Sequence, residues 1–342
     1  MKIVLKVMGA IALLVVVLLI AAAAYLYSTA IRPTSPVGFQ QVAAVDPGHP
    51  IIPVAIWYPT NAKPGFVMLG LSGEHVASDG AVAGTSLPLV VISHGTGGGL
   101  MSHADTAIAL AEKGFVVAAP MHPGDNFRDS SDVGKADWLP NRARQVQRVV
   151  DMMTRSWKDR AHLDPRKIGI FGFSAGATTA LIAIGGTPDL SRIASQCAQH
   201  PEFVCQLTKP AEFQNVKPVS WPSDQRISAA VIAAPGLGFT FEPQGLSNVH
   251  AAIQLWSGGS DQTVPYSTNA GTVSRLLGNS AESHVVPGAV HYSFLMPCGL
   301  IGPPQLCRDP KGFDRAAFHK DFNDAVVKFF KTKLATSGHQ RD

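Results

Sequence analysis

No acidic residue precedes Asp46, and no charge of either sign falls between Lys6 and Arg32. Lys2, Lys6 and Arg32 carry three of the net +4, which leaves the remainder of the chain near neutrality. The sequence has no basic stripe, so nucleic acid is not expected as a partner. It has no C-x-x-C and no closely spaced histidine pair beside a cysteine, so no metal site is expected. The glycine-rich stretch Gly95-Thr96-Gly97-Gly98-Gly99 lacks the last glycine of a dinucleotide fingerprint and the lysine of a Walker loop, and no cofactor is expected. No internal repeat is found. No cysteine closes the first apolar run, so a lipoprotein is not indicated.

That uncharged run is itself informative. Residues 7–31 follow two lysines, and a helix rising about 1.5 Å per residue over 7–27 covers a bilayer core of about 30 Å. Basic residues before the run put the N-terminus in the cytoplasm and the rest outside. Ser28-Thr29-Ala30 offers a small-x-small cleavage site. Residues 1–31 are therefore read as a signal peptide or an N-terminal membrane anchor, and the protein as exported: periplasmic, extracellular or tethered with residues 32–342 outside. Four cysteines fit an oxidising compartment. They allow three connectivities. The two local pairings, Cys197 with Cys205 and Cys298 with Cys307, are expected because each closes a short surface loop.

With 46% hydrophobic residues, the chain can fill the core of one large α/β domain. Residues 39–45 and 51–58 read as paired early strands. Residues 87–93 form a continuous apolar run, the pattern of a buried parallel strand. Further strands are expected at 115–119, 167–171, 228–234, 251–257 and 282–286. Helices are expected at 103–113, at 140–157 and, as an amphipathic C-terminal helix, at 313–334. Alternating strands and helices imply a mostly parallel sheet with helices on both faces. Residues 186–226 break this rhythm, with several prolines, two cysteines and Trp221. They are read as a small cap inserted over the site.

The most informative stretch is Gly172-Phe173-Ser174-Ala175-Gly176. It lies between the strand at 167–171 and an apolar helical run. Small residues of this kind also let a helix pack close to a strand. In the strand, G-x-S-x-G, helix context, however, they form a nucleophile elbow that holds Ser174 proud of the sheet. A serine needs a base, and the base needs an orienting acid. Asp261, in a small-residue loop after one late strand, and His291, in a loop after the next, follow in the order such elbows require. Asp224 is the weaker acid, because it precedes its strand. The N–H groups of Ala175 and Thr96 are the expected oxyanion donors, with Gly95 as an alternative to Thr96. His94 is expected to brace the loop. Phe173, His122 and Phe294 are candidate substrate-lining residues.

Residues 37–334 resemble α/β-hydrolases of the group catalogued as predicted dienelactone hydrolases, relatives of the platelet-activating-factor acetylhydrolases. The resemblance is carried by Ile56-Trp57-Tyr58-Pro59, Ser93-His94-Gly95-Thr96-Gly97-Gly98 and Asp164-Pro165-Arg166-Lys167-Ile168-Gly169 leading into the elbow. Gly259-Ser260-Asp261, His291-Tyr292-Ser293-Phe294 and the tail with Cys298, Cys307 and Gly312-Phe313-Asp314-Arg315 add to it. Dienelactone hydrolases carry cysteine in the elbow, whereas this chain carries Ser174, so a general ester is expected rather than a cyclic dienelactone. The expectation is a serine esterase acting on small or short-chain esters. An acyltransferase or phospholipid acetylhydrolase with the same three residues, and a non-catalytic binding protein, are the alternatives.

Overall fold

The computed structural model describes residues 2–70, 72–214, 219–299 and 302–336. Among these residues, ten strands form one sheet. In chain order they are β1 (Val37–Ala44), β2 (Ile52–Pro59), β3 (Gly65–Leu69), β4 (Ser72–Ser78) and β5 (Leu87–Ser93), followed by β6 (Val116–Pro120), β7 (Leu163–Phe173), β8 (Ile227–Ala233), β9 (Ala252–Gly258) and β10 (Ala281–Val286). Their spatial order is β10-β9-β8-β7-β5-β6-β2-β1-β4-β3. From β6 to β10 every neighbouring pair is parallel, while β2 runs antiparallel to both β1 and β6. The expected antiparallel pairing of the first two strands is present. The hairpin of β3 and β4, not expected from the sequence, extends the sheet at one edge.

Among the described residues, nine α-helices accompany the sheet: α1 (Lys2–Ser28), α2 (Ala104–Glu112), α3 (Trp138–Asp151), α4 (Ala175–Ala183), α5 (Arg192–Gln199), α6 (Val204–Leu207), α7 (Ala270–Leu277), α8 (Pro304–Cys307) and α9 (Arg315–Thr336). Successive side chains of a strand point to opposite faces, so each central strand feeds two cores. On β5, Leu89 and Val91 join Val146 and Val149 of α3, Ala177 and Ala180 of α4 and Val273 of α7. Val90 and Ile92 join Ala107 of α2 and Phe322, Val326 and Phe330 of α9. Because both faces are covered, β5 and β8 show no polar alternation. The sheet ends that carry the site therefore sit on a rigid, doubly packed base.

Helix α1 is long and apolar enough to cross a membrane, and no residue of it is buried in the protein. Residues 186–226 contain α5, α6 and a short turn at Pro210–Phe213; residues 215–218 of the expected cap lie outside the described residues. Ile193 and Phe213 pack with Trp138, Leu139, Leu237 and Phe239 in a third small core that includes Ala175. Disulfides join Cys197 to Cys205 and Cys298 to Cys307.

Candidate active site

Ser174 stands between the end of β7 and the start of α4 with φ of +56° and ψ of −121°. Side chains other than glycine rarely adopt such a backbone, and the surroundings must hold it. They do so by close approach. A Cβ on Gly172 would lie 2.1 Å from the Gly176 carbonyl oxygen, and one on Gly176 would lie 2.0 Å from the Ser93 carbonyl oxygen. The Ser174 N–H donates to the Ala233 carbonyl at the end of β8 (2.9 Å). Only glycine at 172 and 176 lets the turn close this tightly.

Two loops at the same sheet end bring partners to the serine. His291 begins a short 3-10 turn after β10, and its Nε2 lies 2.9 Å from Ser174 Oγ. Its Nδ1 lies 2.8 Å from Asp261 Oδ2, in the loop after β9. The other Asp261 oxygen accepts the N–H groups of Thr263 (2.9 Å) and Val264 (2.8 Å). An ionised carboxylate only accepts, so the hydrogen-bond network assigns the proton to Nδ1 and leaves Nε2 free to accept from the serine hydroxyl. Asp261 and His291 are both buried. The Phe173 ring packs against the imidazole at 4.9 Å between ring centres.

The loop after β5 lies against the elbow: a Cβ on Gly95 would stand 3.2 Å from Ser174 Cβ. No described residue accepts a hydrogen bond from the N–H of Thr96 or of Ala175, and the Gly95 N–H is equally free. Ala175 opens α4, where the first N–H groups have no intrahelical acceptor and the helix dipole favours negative charge.

Beneath this loop lies a buried polar network. Asp125 accepts the Gly97 N–H (2.8 Å) through Oδ1, and through Oδ2 it accepts Trp138 Nε1 (2.7 Å) and Arg142 (2.5 Å). Arg142 also donates to Thr179 Oγ1 and to the His94 carbonyl. Burial, and then the charge of Arg142, push His94 down to about 4 and hold His122 well below its usual value, so both imidazoles are neutral. His122 bonds Ser93 Oγ (2.9 Å) and Gln145 Oε1 (2.7 Å) and has no exposed surface. It braces the loop and does not line a substrate site, which corrects the sequence expectation. Phe294 is corrected likewise: fully buried, it packs edge-on against Phe318 and Phe322 of α9.

Sequence reasoning missed this brace. Its signal was a charge within an apolar stripe, since Arg142 shares the inward face of α3 with Leu139, Ala143 and Val146. A second brace holds the histidine loop. Ser293 Oγ accepts the Val290 N–H and donates to Asp309, which is paired with Arg315. His319 links the Ser293 carbonyl (2.9 Å) to Asp105 (2.6 Å). Burial pushes the Asp105 carboxyl up, but His319 and Asn323 outweigh it and hold the group below its usual value.

Beside the elbow runs a groove of about 1630 Å³, lined by the chain neighbours of Ser174 and His291 but by neither residue itself. Thr96, Phe173 and Tyr292 line it at the elbow, and Leu100, Met101 and Leu295 continue its wall. None of the described residues of 186–226 lines it.

An elbow serine between a parallel strand and a helix, with an acid and a histidine after the next strands, is the architecture of the α/β-hydrolases. Within that architecture, residues 75–215 match the model of the Dienelactone hydrolase family. The matched stretch contains Ser174 and stops before Asp261 and His291. Protein usf of Aquifex pyrophilus is 31% identical over 84 residues, which is 24% of this chain and 36% of that protein's length. A ferulic acid esterase from Streptomyces cinnamoneus superposes with a TM-score of 0.59 at 18% identity, over 89% of this chain and 93% of that one. A puromycin-hydrolyzing peptidase of Mycobacterium tuberculosis gives 0.55 at 14% identity, over 86% of this chain and 39% of that one. At these identities the two structures share the fold.

Proposed function

We propose that this protein is an exported serine hydrolase of carboxylic esters, held at the membrane by α1. Ser174 Oγ attacks the ester carbonyl carbon while its proton passes to His291 Nε2. Asp261, bonded to Nδ1–H, keeps the tautomer and favours the imidazolium that forms. The carbonyl oxygen, now an oxyanion, is received by the N–H groups of Ala175 and Thr96. Collapse of the tetrahedral intermediate breaks the bond to the alcohol oxygen, which takes the proton from His291. Water, deprotonated by His291, then attacks the acyl-serine and returns the enzyme.

The observation that carries this reading is the unbroken path from Asp261 through His291 to Ser174, in bonds of 2.8 and 2.9 Å. The N–H groups of Thr96 and Ala175, which no described residue accepts, support it, and so does the dienelactone hydrolase match. A fluorophosphonate should label the protein, and Ser174→Ala should abolish both labelling and ester hydrolysis. In a comparable triad that loss is about a million-fold in turnover. Activity of Ser174→Ala within tenfold of the unaltered protein refutes the assignment.

A second reading concerns the size of the ester. The sequence favours short acyl groups under a small cap. The groove exceeds the ~300–1,000 Å³ of ordinary small-molecule sites and has no cap residue in its described wall. That observation favours esters carrying a long apolar chain.

A further inference from the structure

The groove does not end at the elbow. From Thr96 and Phe173 it continues past Leu100 and Met101 to Tyr25 and Leu26 in the last turn of α1 and to Thr29 just beyond it. We propose that this turn is a wall of the substrate site, and that the groove takes up the hydrocarbon chain of an amphiphilic ester directly from the bilayer that holds α1. The proposal rests on the ester-hydrolase reading above and names its substrate class: esters dissolved in the membrane.

Three observations carry it. First, the end of α1 is fixed to the catalytic domain and does not hang from a free linker. The Ile31 N–H donates to the Gly73 carbonyl and the His75 N–H to the Ile31 carbonyl, both at 2.9 Å. Gly73 has no room for a side chain, since a Cβ there would lie 2.6 Å from the Phe66 ring and 3.1 Å from the Leu26 carbonyl. The Tyr27 ring packs against Phe66 at 5.5 Å and His75 at 5.2 Å.

Second, the depth is right. The 27 residues of α1 rise about 40 Å at about 1.5 Å each, against a hydrocarbon core of about 30 Å. Tyr25 and Tyr27 at its outer end belong at the headgroup level, where tyrosine concentrates. Arg32 stacks over the Tyr27 ring at 4.7 Å and marks the polar side of that boundary. The groove mouth therefore opens where a leaflet presents its ester groups and the upper parts of its chains.

Third, apolar side chains surround this end of the molecule without being buried by it. Phe66 is 38% exposed and Met68 43%, both on the β3 strand beside Tyr27, and Phe127 in the groove wall is 64% exposed. In water such a cluster is costly; against acyl chains it is at home.

The test uses the full-length protein reconstituted in vesicles of ether-linked phosphatidylcholine, which has no ester to cleave. p-Nitrophenyl palmitate is placed either in the same vesicles as the protein or in separate ones. The initial rate should be at least tenfold higher in the same vesicles. Leu26→Asp should lower the ratio of palmitate to acetate kcat/KM about tenfold. Equal rates in the two arrangements, an unmoved ratio, or a purified mature N-terminus at Ile31 overturns the proposal. The two-vesicle comparison needs no variant and stands even where Leu26→Asp fails to insert. Retention of hydrolysis by Ser174→Ala would instead condemn the catalytic reading.

Discussion

Glu74 offers a test of how the domain carries charge in its interior. It sits on β4 with no exposed surface. One carboxyl oxygen accepts the Trp57 Nε1–H at 3.0 Å, and the other has no partner among the described residues. Burial raises its pKa from 4.5 to about 7, the Trp57 bond opposes this, and the charge of Asp105 adds to it. The unfolded chain releases the Glu74 proton near 4.5, the folded chain only near 7. Below 4.5 the group is neutral in both states and costs nothing. Between these values the unfolded state holds fewer protons, so stability falls as pH rises, and the full penalty is present above 7. At about 1.4 kcal/mol per pH unit it amounts to ~3 kcal/mol. Glu74→Gln removes the ionisation while keeping an acceptor for Trp57. Its new amide N–H groups occupy the unpartnered position at a cost of about 1–3 kcal/mol that does not vary with pH. Urea denaturation of both proteins in detergent, followed by tryptophan fluorescence at pH 4 to 8, isolates the difference, because every other group titrates alike in the two. The stability of the variant relative to the parent should rise by ~3 kcal/mol across that range. A difference that stays flat with pH refutes the reasoning.

Three further outcomes are expected. Arg142→Met leaves the Asp125 carboxylate buried without its cation and should cost about 3–5 kcal/mol in thermal or urea denaturation; a variant as stable as the parent would show that the pair does not hold the loop. Asp261→Asn keeps the Thr263 and Val264 bonds but presents an amide toward His291 Nδ1, and kcat on p-nitrophenyl acetate should fall about 10⁴-fold, with a loss below tenfold counting against the acid role. Cys298→Ser together with Cys307→Ser should lower stability by about 2–3 kcal/mol, and an unchanged denaturation midpoint in exported protein would refute this.

The sequence exposed the central sheet because those strands are buried on both faces. Continuous apolar runs such as Leu87–Ser93 need no alternation to be recognised. β3 and β4 escaped notice for the opposite reason: they are short, at an edge, and interrupted by Gly65, Gly73, Glu74 and His75. The start of β7 at Leu163 was hidden by Pro165 and Arg166, whose side chains are exposed. That Ser174, Asp261 and His291 lie together was legible because turn chemistry and chain order constrain their positions. His122 and Phe294 were misread because proximity to a strand end does not tell which way a side chain points; one turns toward Gln145, the other toward α9. The groove has no sequence signature at all. Its walls come from α1, the loop after β5 and the segment around the Cys298–Cys307 disulfide, and no single stretch carries its pattern.

The two margins of the ten-stranded sheet are guarded by different means. At one, β10 carries Glu282 and His284, bonded to each other, and such charge discourages a foreign strand from adding itself. At the other, β3 has no charged residue and presents Phe66 and Met68 to the surroundings. If α1 holds the domain at a bilayer as proposed, β3 faces lipid, which offers no peptide groups to pair with, and such a strand needs no gatekeeper. Release of the domain from α1 would take that shelter away, and β3 is then the place where one molecule would begin to add to the next.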